Sequence, residues 1–451
     1  MRKLKILSVL LFAQLLLVPQ FVFAQDGMLE KIERLQKELD ELRAQLAGNA
    51  IAKVVKVKIH RHPSVSISEE RADQLLLEMG QILQKADSPA DVATAIKFER
   101  DGPVRLLPGN VPAVIQTSAD FGNLLAADSG IKVVRKIRWC GKPGATIIGC
   151  APVGSPEVNL GVVPFQKNQE AIVWTHEYGH NAGLHHRTDD QKALMYPSVG
   201  ANHKVVNKAE SKALIAGPAA LEEHPQFAAL EDDLKFPEGA KEVDVPKDVK
   251  SFVRRHYFHG VPFKAASSYT KKDSVILLKM LENPVENEQF LPEIVTTICY
   301  IGDEDAVDDL IAFVENSKLD GEAAFDAKNA ILIHLGDLVN KTQNKKAVQF
   351  LSSIASGKET AEKLSKSRFE AIAPGDLKLV PISKGELRDE LAVSAAQGLA
   401  IAGTLESKKA IESLSRSTNL LQAVGGALPD LRKISEEIDK KGLQTFRSHG
   451  H

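Results

Sequence analysis

The feature that most constrains this chain is the stretch WTHEYGHNAGLHH, which ends at His186. In a helix, this stretch places His176 and His180 one turn apart on the same face, so both imidazoles can reach one metal ion while Glu177 lies beside it. Gly183 is the residue best able to take a left-handed backbone, which would end the helix and bring His186 to the same ion. The pattern therefore predicts a tetrahedral metal site with three protein ligands and a fourth position open for water.

The spacing of this motif is specific. Its five fixed residues would occur by chance in on the order of one in ten thousand chains of this length. The alternative is an amphipathic core helix with incidental histidines, which would bury three imidazoles and a carboxylate with no cation to compensate them. Met195, in the sequence ALMYP shortly after His186, matches the methionine-containing turn that lies under the zinc ligands in one superfamily.

In these residues the chain resembles the metzincin metallopeptidases, and HEYGHNAGLHH followed by ALMYP is most similar to the matrixin branch. The resemblance implies an α+β catalytic domain, a mixed twisted sheet with a zinc helix, over residues 50–217. It also implies a secreted zinc endopeptidase with one catalytic Zn²⁺, and gives no indication of a second zinc or a structural calcium. The site residues that it implies are the ligands His176, His180 and His186, the general base Glu177 and the turn methionine Met195.

The chain departs from the known branches at two positions. Matrixins carry Ser and adamalysins carry Asp after the third ligand, whereas this chain has Arg187, so the motif does not assign a subfamily. Astacins and serralysins place a metal-approaching Tyr two residues after the methionine. Here Tyr196 follows Met195 directly, so we do not expect Tyr196 to be a ligand.

Residues 1–24 are typical of a cleavable secretory leader. Positive charges at Arg2, Lys3 and Lys5 precede an apolar run that ends in VFA before Gln25. An uncleaved N-terminal anchor is the alternative, and no later stretch is long and apolar enough to span a bilayer. We therefore expect a secreted or periplasmic protein.

The two ends of the mature chain carry simple patterns. Residues 25–49 predict an amphipathic helix whose apolar side chains repeat every three or four residues. This seam is compatible with a coiled-coil oligomer through residues 28–46, with a helix docked on its own domain, and with a short pro-segment. At the other end, residues 441–451 predict a disordered tail.

The sequence over residues 50–217 alternates strand and helix patterns in the order that a metzincin-like domain requires. Apolar and polar residues alternate over 54–59, and Ser68 begins a helix whose apolar positions run to Leu83. Further strands are predicted at 90–100, 113–117 and 131–139. Residues 158–165 resemble the rim strand along which metzincin substrates lie extended, so we expect an edge strand that holds peptides by β-augmentation. An ordinary edge loop is the alternative.

Cys140 and Cys150 bracket GKPGATIIG, a loop whose glycines and proline suit a hairpin. In an exported chain this pair predicts a disulfide. The sequence RWCGKP around Cys140 also resembles the cysteine-switch peptide with which matrixins block their own zinc. Because it lies within the strand region shortly before His176, where a removable inhibitor cannot sit, we favour the disulfide.

The second half of the chain changes character. Residues 218–249 are charged and interrupted by prolines, which predicts a linker. Residues 250–440 repeat a pattern of apolar helix, glycine turn and second helix, with turns expected at Gly302, Gly336 and Gly403. The pattern is similar to HEAT repeats, so we expect an all-α HEAT-like repeat domain. An irregular helical bundle is the alternative.

Two functions fit this organisation. The first is that of a zinc metalloendopeptidase acting on protein or peptide substrates, in which Glu177 takes a proton from water and delivers it to the leaving amine. In that case residues 50–217 would fold and cleave short peptides without the repeats. The second is that of an exported helical-repeat scaffold that binds a protein partner and carries an accessory or degenerate metallopeptidase domain. A formal net charge of −2 gives no sign of a nucleic-acid partner.

Overall fold

A computed structural model describes residues 53–84, 96–166, 168–200, 202–216, 245–317, 319, 321–357, 378–379, 383–418 and 420–448. The predicted leader, the predicted helix at 25–49 and most of the predicted linker at 218–249 lie outside the described residues. Within the described part, strands and helices alternate as far as Ala216, and helices dominate from Val249 onward. The chain is thus mixed α and β, followed by a helical region.

The strands of the described residues are short and lie mostly in the first half. They are β1 (Lys53–Val57), β2 (Ile59–Arg61), β3 (Val65–Ser66), β4 (Ile96–Arg100), β5 (Arg105–Leu106), β6 (Val114–Ile115), β7 (Gly130–Val133), β8 (Lys136–Cys140), β9 (Lys142–Ile147), β10 (Gly149–Cys150), β11 (Asn159–Val162), β12 (Ser198–Val199), β13 (His256–Tyr257) and β14 (Lys378–Leu379).

The α-helices continue through the second half to the end of the described chain. They are α1 (Glu69–Leu83), α2 (Ser118–Ala126), α3 (Glu170–Asn181), α4 (Lys208–Ala216), α5 (Val249–Val253), α6 (Phe263–Ala266), α7 (Lys271–Glu282), α8 (Leu291–Ile301), α9 (Val307–Asn316), α10 (Glu322–Thr342), α11 (Lys345–Ala355), α12 (Lys384–Ala402), α13 (Leu405–Ser415), α14 (Gln422–Lys441) and α15 (Leu443–Ser448).

Capping side chains set several helix starts. The Ser68 hydroxyl accepts a hydrogen bond from the Arg71 amide at 3.2 Å, so α1 begins where the sequence predicts. Asn207 and Glu210 cap each other reciprocally, because each side chain accepts from the other's backbone N–H, at 2.9 Å and 2.7 Å. This pair starts α4 at Lys208.

The largest sheet has five strands in the order β10-β11-β7-β2-β5. Its strands are parallel except for β10, which runs antiparallel to β11 at one edge. The predicted rim strand at 158–165 corresponds to β11, and its prediction as an edge strand is wrong. β11 is paired on both sides, with Leu160 opposite Ile131 and Val162 opposite Gly149, so its backbone groups are already used within the sheet. The edge strand that packs against α3 is β10.

In the helical region, the helices pack in two layers. In one layer α8 packs on α10, α10 on α12 and α12 on α14, and in the other α9 packs on α11 and α11 on α13. Gly302 and Gly403 end α8 and α12 with left-handed backbones, at φ values of 77° and 61°. The expected turn at Gly336 is wrong, because α10 continues through it. A Cβ on Gly336 would lie 2.2 Å from the carbonyl oxygen of Gly398, so glycine is needed there for two helices to approach closely.

The strand-rich and helical parts share one interior. Lys53–His451 form one compact unit, and a continuous apolar cluster includes residues of both parts, from Val55 to Phe446. The boundary expected at residue 217 therefore does not separate two compact bodies. The predicted disordered tail is wrong for Leu443–Ser448, which form α15 with Arg447 buried and ion-paired to Asp337 at 2.7 Å.

Among the described residues, the helices include none with the length and apolar character needed to cross a bilayer. The two longest are α10 and α14, at 21 and 20 residues. Both carry charged residues along their length, such as Asp337 in α10 and Asp430 in α14.

Candidate metal centre

The helix α3 carries the first two predicted ligands and ends where the glycine predicts. Gly183 has a φ of 92°. Its N–H donates to the carbonyl of His180 at 2.8 Å, and the N–H of Leu184 donates to that of Gly179 at 2.9 Å. This is the pair of bonds of a Schellman motif, which turns the chain sharply after a helix. The turn returns the chain past the helix, so His186 lies beside His176.

Two backbone carbonyls orient the histidines of the helix. His176 Nδ1 lies 2.8 Å from the carbonyl oxygen of Leu194, and His180 Nδ1 lies 2.8 Å from that of Leu184. A carbonyl oxygen only accepts, so Nδ1 carries the hydrogen in both rings and each Nε2 is left with its lone pair. Burial lowers the pKa of His176 to about 3, although its bond to Leu194 opposes this shift, and the neutral ring is the form that binds a metal.

The structure brings four histidines together rather than three: His176, His180, His186 and His259. His176 Nε2 lies 3.1 Å from His186 Nε2, and His180 Nε2 lies 3.3 Å from His259 Nε2. The ligand atoms all lie within 4.8 Å of one another. The cluster therefore contains a fourth imidazole, His259, beyond the three predicted ligands, and the open fourth position stays a prediction.

Sequence reasoning missed His259 because it lies 79 residues after His180 along the chain. Its local sequence, YFHGVP, matches no zinc-ligand spacing. The residue comes to the site through β13, which pairs antiparallel with β12 directly after the methionine turn. The only sign available in the sequence was a histidine flanked by aromatic residues at the start of the helical region.

The residues present fit a zinc ion in type and number. Zinc bonds to imidazole nitrogens are about 2.0–2.1 Å long, so a tetrahedral ion places neighbouring ligand atoms about 3.3–3.4 Å apart. The two short separations, 3.1 Å and 3.3 Å, agree with this value. The widest pair, within 4.8 Å, would have to contract around the ion. The Nδ1 bonds of His176 and His180 to carbonyls are the outer-shell contacts that zinc-binding histidines ordinarily make.

The Glu177 carboxylate is buried on the same helix as His176 and His180. The residue is 0% exposed, and among the described residues neither carboxylate oxygen has a hydrogen-bond partner. Burial raises the pKa of Glu177 well above its ordinary value. A Cβ on Gly149 would lie 2.3 Å from Glu177 Oε1, so glycine in β10 is what allows the carboxylate to lie against this strand. A buried carboxylate without donors requires a nearby cation to stay ionised, and a metal in the cluster would provide it.

Met195 lies directly under the ligand helix. It is fully buried, and a Cβ on Gly179 would lie 2.4 Å from Met195 Sδ, so the helix and the methionine turn pack closely. Arg187 ties the third ligand to this turn, because its amide donates to the Met195 carbonyl at 3.0 Å. Its guanidinium forms an ion pair with the buried Glu210 at 2.9 Å. Met195 thus lies under the helix that carries His176 and His180, as a turn methionine would. Its role as the turn methionine of a zinc site stays a prediction.

Phe258 and His259 close the site from above the helix. The Phe258 ring stacks on the His176 imidazole with a centroid distance of 3.6 Å and an interplanar angle of 3°. Phe258 is fully buried and His259 is half-buried. Both residues thus lie against the cluster.

The structure joins Cys140 and Cys150 in a disulfide with a Cα–Cα distance of 5.9 Å. Cys140 ends β8 and Cys150 lies in β10, so the bond fixes the edge strand that lies against Glu177. Cys140 is thus held within the sheet. This agrees with the disulfide interpretation and leaves no thiol at this position to act as a cysteine switch.

His185 and His186 give a direct test of the ligand register. His186 belongs to the cluster and His185 does not. We expect His186→Ala to weaken zinc binding by about 100-fold or more, since losing a ligand should cost at least as much as losing an outer-shell partner. His185→Ala is the matched control and should bind zinc as the wild type does, measured by competition with a chromophoric chelator. Equal affinities for the two variants would remove His186 from the ligand set.

The sequence matches no protein-family model and has no significant match among curated proteins. The functional argument therefore depends on the residues of the site itself.

Proposed function

We propose that this protein is a zinc-dependent endopeptidase that hydrolyses peptide bonds in protein substrates. The observation that carries the proposal is the pairing of an oriented histidine cluster with Glu177, a buried carboxylate that has no hydrogen-bond partner among the described residues. A structural metal site needs only ligands. A hydrolytic site needs in addition a group that can take and return a proton next to the ligands, and the burial of Glu177 without hydrogen-bond partners supports this role for it.

The division of roles follows from these side chains. His176, His180 and His186 would hold the zinc ion, which when bound supplies Lewis acidity toward a water molecule and the scissile carbonyl. Glu177 would accept the proton of the attacking water and pass it to the leaving amine. Because no protein donor holds the carboxylate oxygens among the described residues, both are free to exchange a proton. The buried surroundings strengthen the electrostatic interactions that such a transfer uses.

The same proposal includes a metzincin-like fold for the catalytic part, HEAT-like repeats for the helical part, and export of the protein. A metzincin-like catalytic part is supported by the zinc helix, its Schellman turn and the buried methionine beneath it. HEAT-like repeats are supported by the two layers of helices, in which successive helices of each layer pack on one another. We further propose that the protein is secreted or periplasmic, on the strength of the leader-like sequence at 1–24 and the disulfide.

One observation favours a second function. Four histidines complete a tetrahedral shell, and closed four-ligand sites are typical of structural zinc. In that case the protein would be a helical scaffold that binds a protein partner, with the zinc joining its two parts. The unpartnered Glu177 argues for the peptidase, because a structural site gains nothing from a buried carboxylate without donors.

Metal removal and restoration test the proposed function. We expect one zinc per chain and hydrolysis of casein that 1,10-phenanthroline abolishes and added zinc restores. Because His259 would take the fourth coordination position of the metal and exclude water from it, the assay should include the His259→Ala variant beside the wild type. Zinc-loaded protein that shows no phenanthroline-sensitive hydrolysis in either form would contradict the peptidase and favour the scaffold.

A further inference from the structure

Residues 256–260, here called the covering segment, lie in a groove with two walls. One wall is formed by Ile147, which ends β9, and by Ile148, which follows it, and the other by β12, directly after the methionine turn. His259, which belongs to the histidine cluster, lies in this segment. The covering segment begins as a strand at His256 and Tyr257 and then turns, with the Gly260 amide donating to the carbonyl of Tyr257 at 3.4 Å.

The covering segment makes backbone hydrogen bonds with both walls. On one side the amide of Ile148 donates to the carbonyl of Phe258 at 2.9 Å, and Ile147 forms an antiparallel bridge with His259. On the other side β13 pairs antiparallel with β12, and the amide of Phe258 donates to the carbonyl of Pro197 at 3.1 Å. His256 and Tyr257 thus pair with β12 as an added strand does in β-augmentation, and Phe258 and His259 add main-chain bonds to the other wall.

Two side chains of the covering segment lie against the histidine cluster. The Phe258 ring stacks on His176, and the His259 imidazole is directed at the metal cluster. A peptide substrate in the same groove would need the backbone bonds that Phe258 makes and the metal position that His259 takes. The covering segment and a substrate therefore exclude each other.

We infer that the covering segment is an intramolecular inhibitor: it occupies the groove that binds extended peptide substrates and supplies His259 as a displaceable fourth metal ligand. This inference rests on the proposed peptidase function. In the closed form the protein is latent, and substrate binds only to the fraction of molecules in which the segment has left the groove. Its ligand class is an extended polypeptide, since the walls present backbone groups to whatever lies between them.

Gly260 is the residue at which the segment can be loosened without touching the metal ligands. It has a φ of 89°, and a Cβ there would approach Thr146 Oγ1 to 3.4 Å, which is ordinary contact. An alanine would therefore meet conformational strain in the closed form but little steric clash. Gly102 is a matched control, with a φ of 83° and a nearest atom, Arg105 Nη2, also at 3.4 Å.

The first experiment uses cobalt-substituted full-length protein and acetohydroxamate, with visible absorption as the readout. We expect the probe to bind His259→Ala at least about tenfold more tightly than the wild type, because the wild-type affinity is reduced by the fraction of closed molecules. Metal content is measured in both proteins. Equal affinity for the probe at equal cobalt occupancy would overturn the inference.

The second experiment leaves every histidine in place. Gly260→Ala should increase the rate of casein hydrolysis and the rate of hydrogen exchange at the Ile148 amide, each by about five- to thirtyfold, because the left-handed backbone is strained by alanine only in the closed form. Gly102→Ala should change neither rate. Unchanged exchange and hydrolysis in a folded Gly260→Ala protein would also overturn the inference.

The two proposals can fail separately. Suppose that acetohydroxamate binds only when His259 is removed, that hydrogen exchange at the Ile148 amide accelerates in Gly260→Ala, and that no variant hydrolyses casein. The covering segment then blocks access to the metal, and only the peptidase function is contradicted. If the wild type hydrolyses casein as fast as both variants do, the peptidase function stands and the inhibitory role is contradicted.

Discussion

Glu177→Gln is expected to lower peptide hydrolysis by about 10²- to 10⁴-fold while zinc content stays the same, which is the effect of losing a general base. Glutamine has nearly the same shape as glutamate, so it fills the space against Gly149 without opening a cavity. It cannot accept a proton at neutral pH. The metal ligands are untouched, and the loss should appear in kcat more than in KM.

Thermal unfolding measurements distinguish a loss of hydrolysis in Glu177→Gln from a loss of the folded state. Burial raises the pKa of Glu177 well above its ordinary value, so in the metal-free protein a neutral side chain is preferred at this position. Glu177→Gln should therefore unfold at the same temperature as the metal-free wild type or at a higher one. The measurement is thermal unfolding of both proteins after chelation, next to hydrolysis assays of the zinc-loaded forms.

Glu170→Gln is a matched control on the same helix. Its carboxylate is also buried, but it accepts a hydrogen bond from Arg71 Nη2 at 2.8 Å and lies outside the histidine cluster. We expect this variant to lose stability and to keep its activity per folded molecule. Both glutamate variants should also be assayed with His259→Ala, so that the covering segment does not mask the difference. Hydrolysis by Glu177→Gln at the wild-type rate in that background would remove Glu177 from the mechanism.

The parts of the site that the sequence predicts are those whose geometry is local. His176 and His180 share a helix face because they lie one turn apart, and Gly183 ends the helix with the backbone that its missing Cβ permits. His186 follows from that turn. His259 could not be predicted, because only the pairing of β13 with β12 brings it to the cluster. A long-range contact of this kind leaves no periodic signal in the sequence.

The errors in the predicted fold have related physical causes. A glycine after an apolar run fits a helix end, as at Gly302, and equally fits a close helix crossing, as at Gly336, and the local sequence does not distinguish the two. β11 was predicted as an edge strand because of its proline, yet Pro164 lies just outside the paired residues. The tail was predicted as disordered because chain ends are often poorly ordered, whereas Arg447 finds a buried partner in Asp337.

Arg138→Met is expected to destabilise the whole protein by about 3–5 kcal/mol, because it breaks a buried ion network and leaves the Glu390 carboxylate without its partner. The Arg138 side chain is 1% exposed, and its Nη2 contacts Asp326 at 2.5 Å and Glu390 at 3.1 Å. Burial opposes the ionisation of Asp326, but Lys136 and Arg138 hold its pKa below the ordinary value. Burial raises the pKa of Glu390 although Arg138 opposes it.

A double replacement separates the network from simple packing. Arg138→Met together with Glu390→Met exchanges one buried pair for apolar side chains, and such exchanges are often neutral or stabilising. Lys136 still pairs with Asp326 at 2.8 Å in that protein. We therefore expect the double variant to recover much of the stability lost in Arg138→Met, as measured by denaturant unfolding. Lys346→Met, which breaks the exposed pair with Asp308, is the control and should leave the unfolding midpoint nearly unchanged.

This network also decides whether the strand-rich part can act alone. Arg138 lies in β8, whereas its partners Asp326 and Glu390 lie in α10 and α12. A chain that ends at residue 217 lacks both carboxylates. It would either bury the arginine without a partner or expose it together with its apolar neighbours. The expectation that residues 50–217 fold and cleave peptides by themselves is accordingly replaced by the opposite one. We expect a chain of residues 50–217 to be recovered unfolded or aggregated. Two results together would show that the helical region does not support the site: recovery of this chain as a stable, zinc-binding protein, and wild-type stability of the Arg138→Met variant.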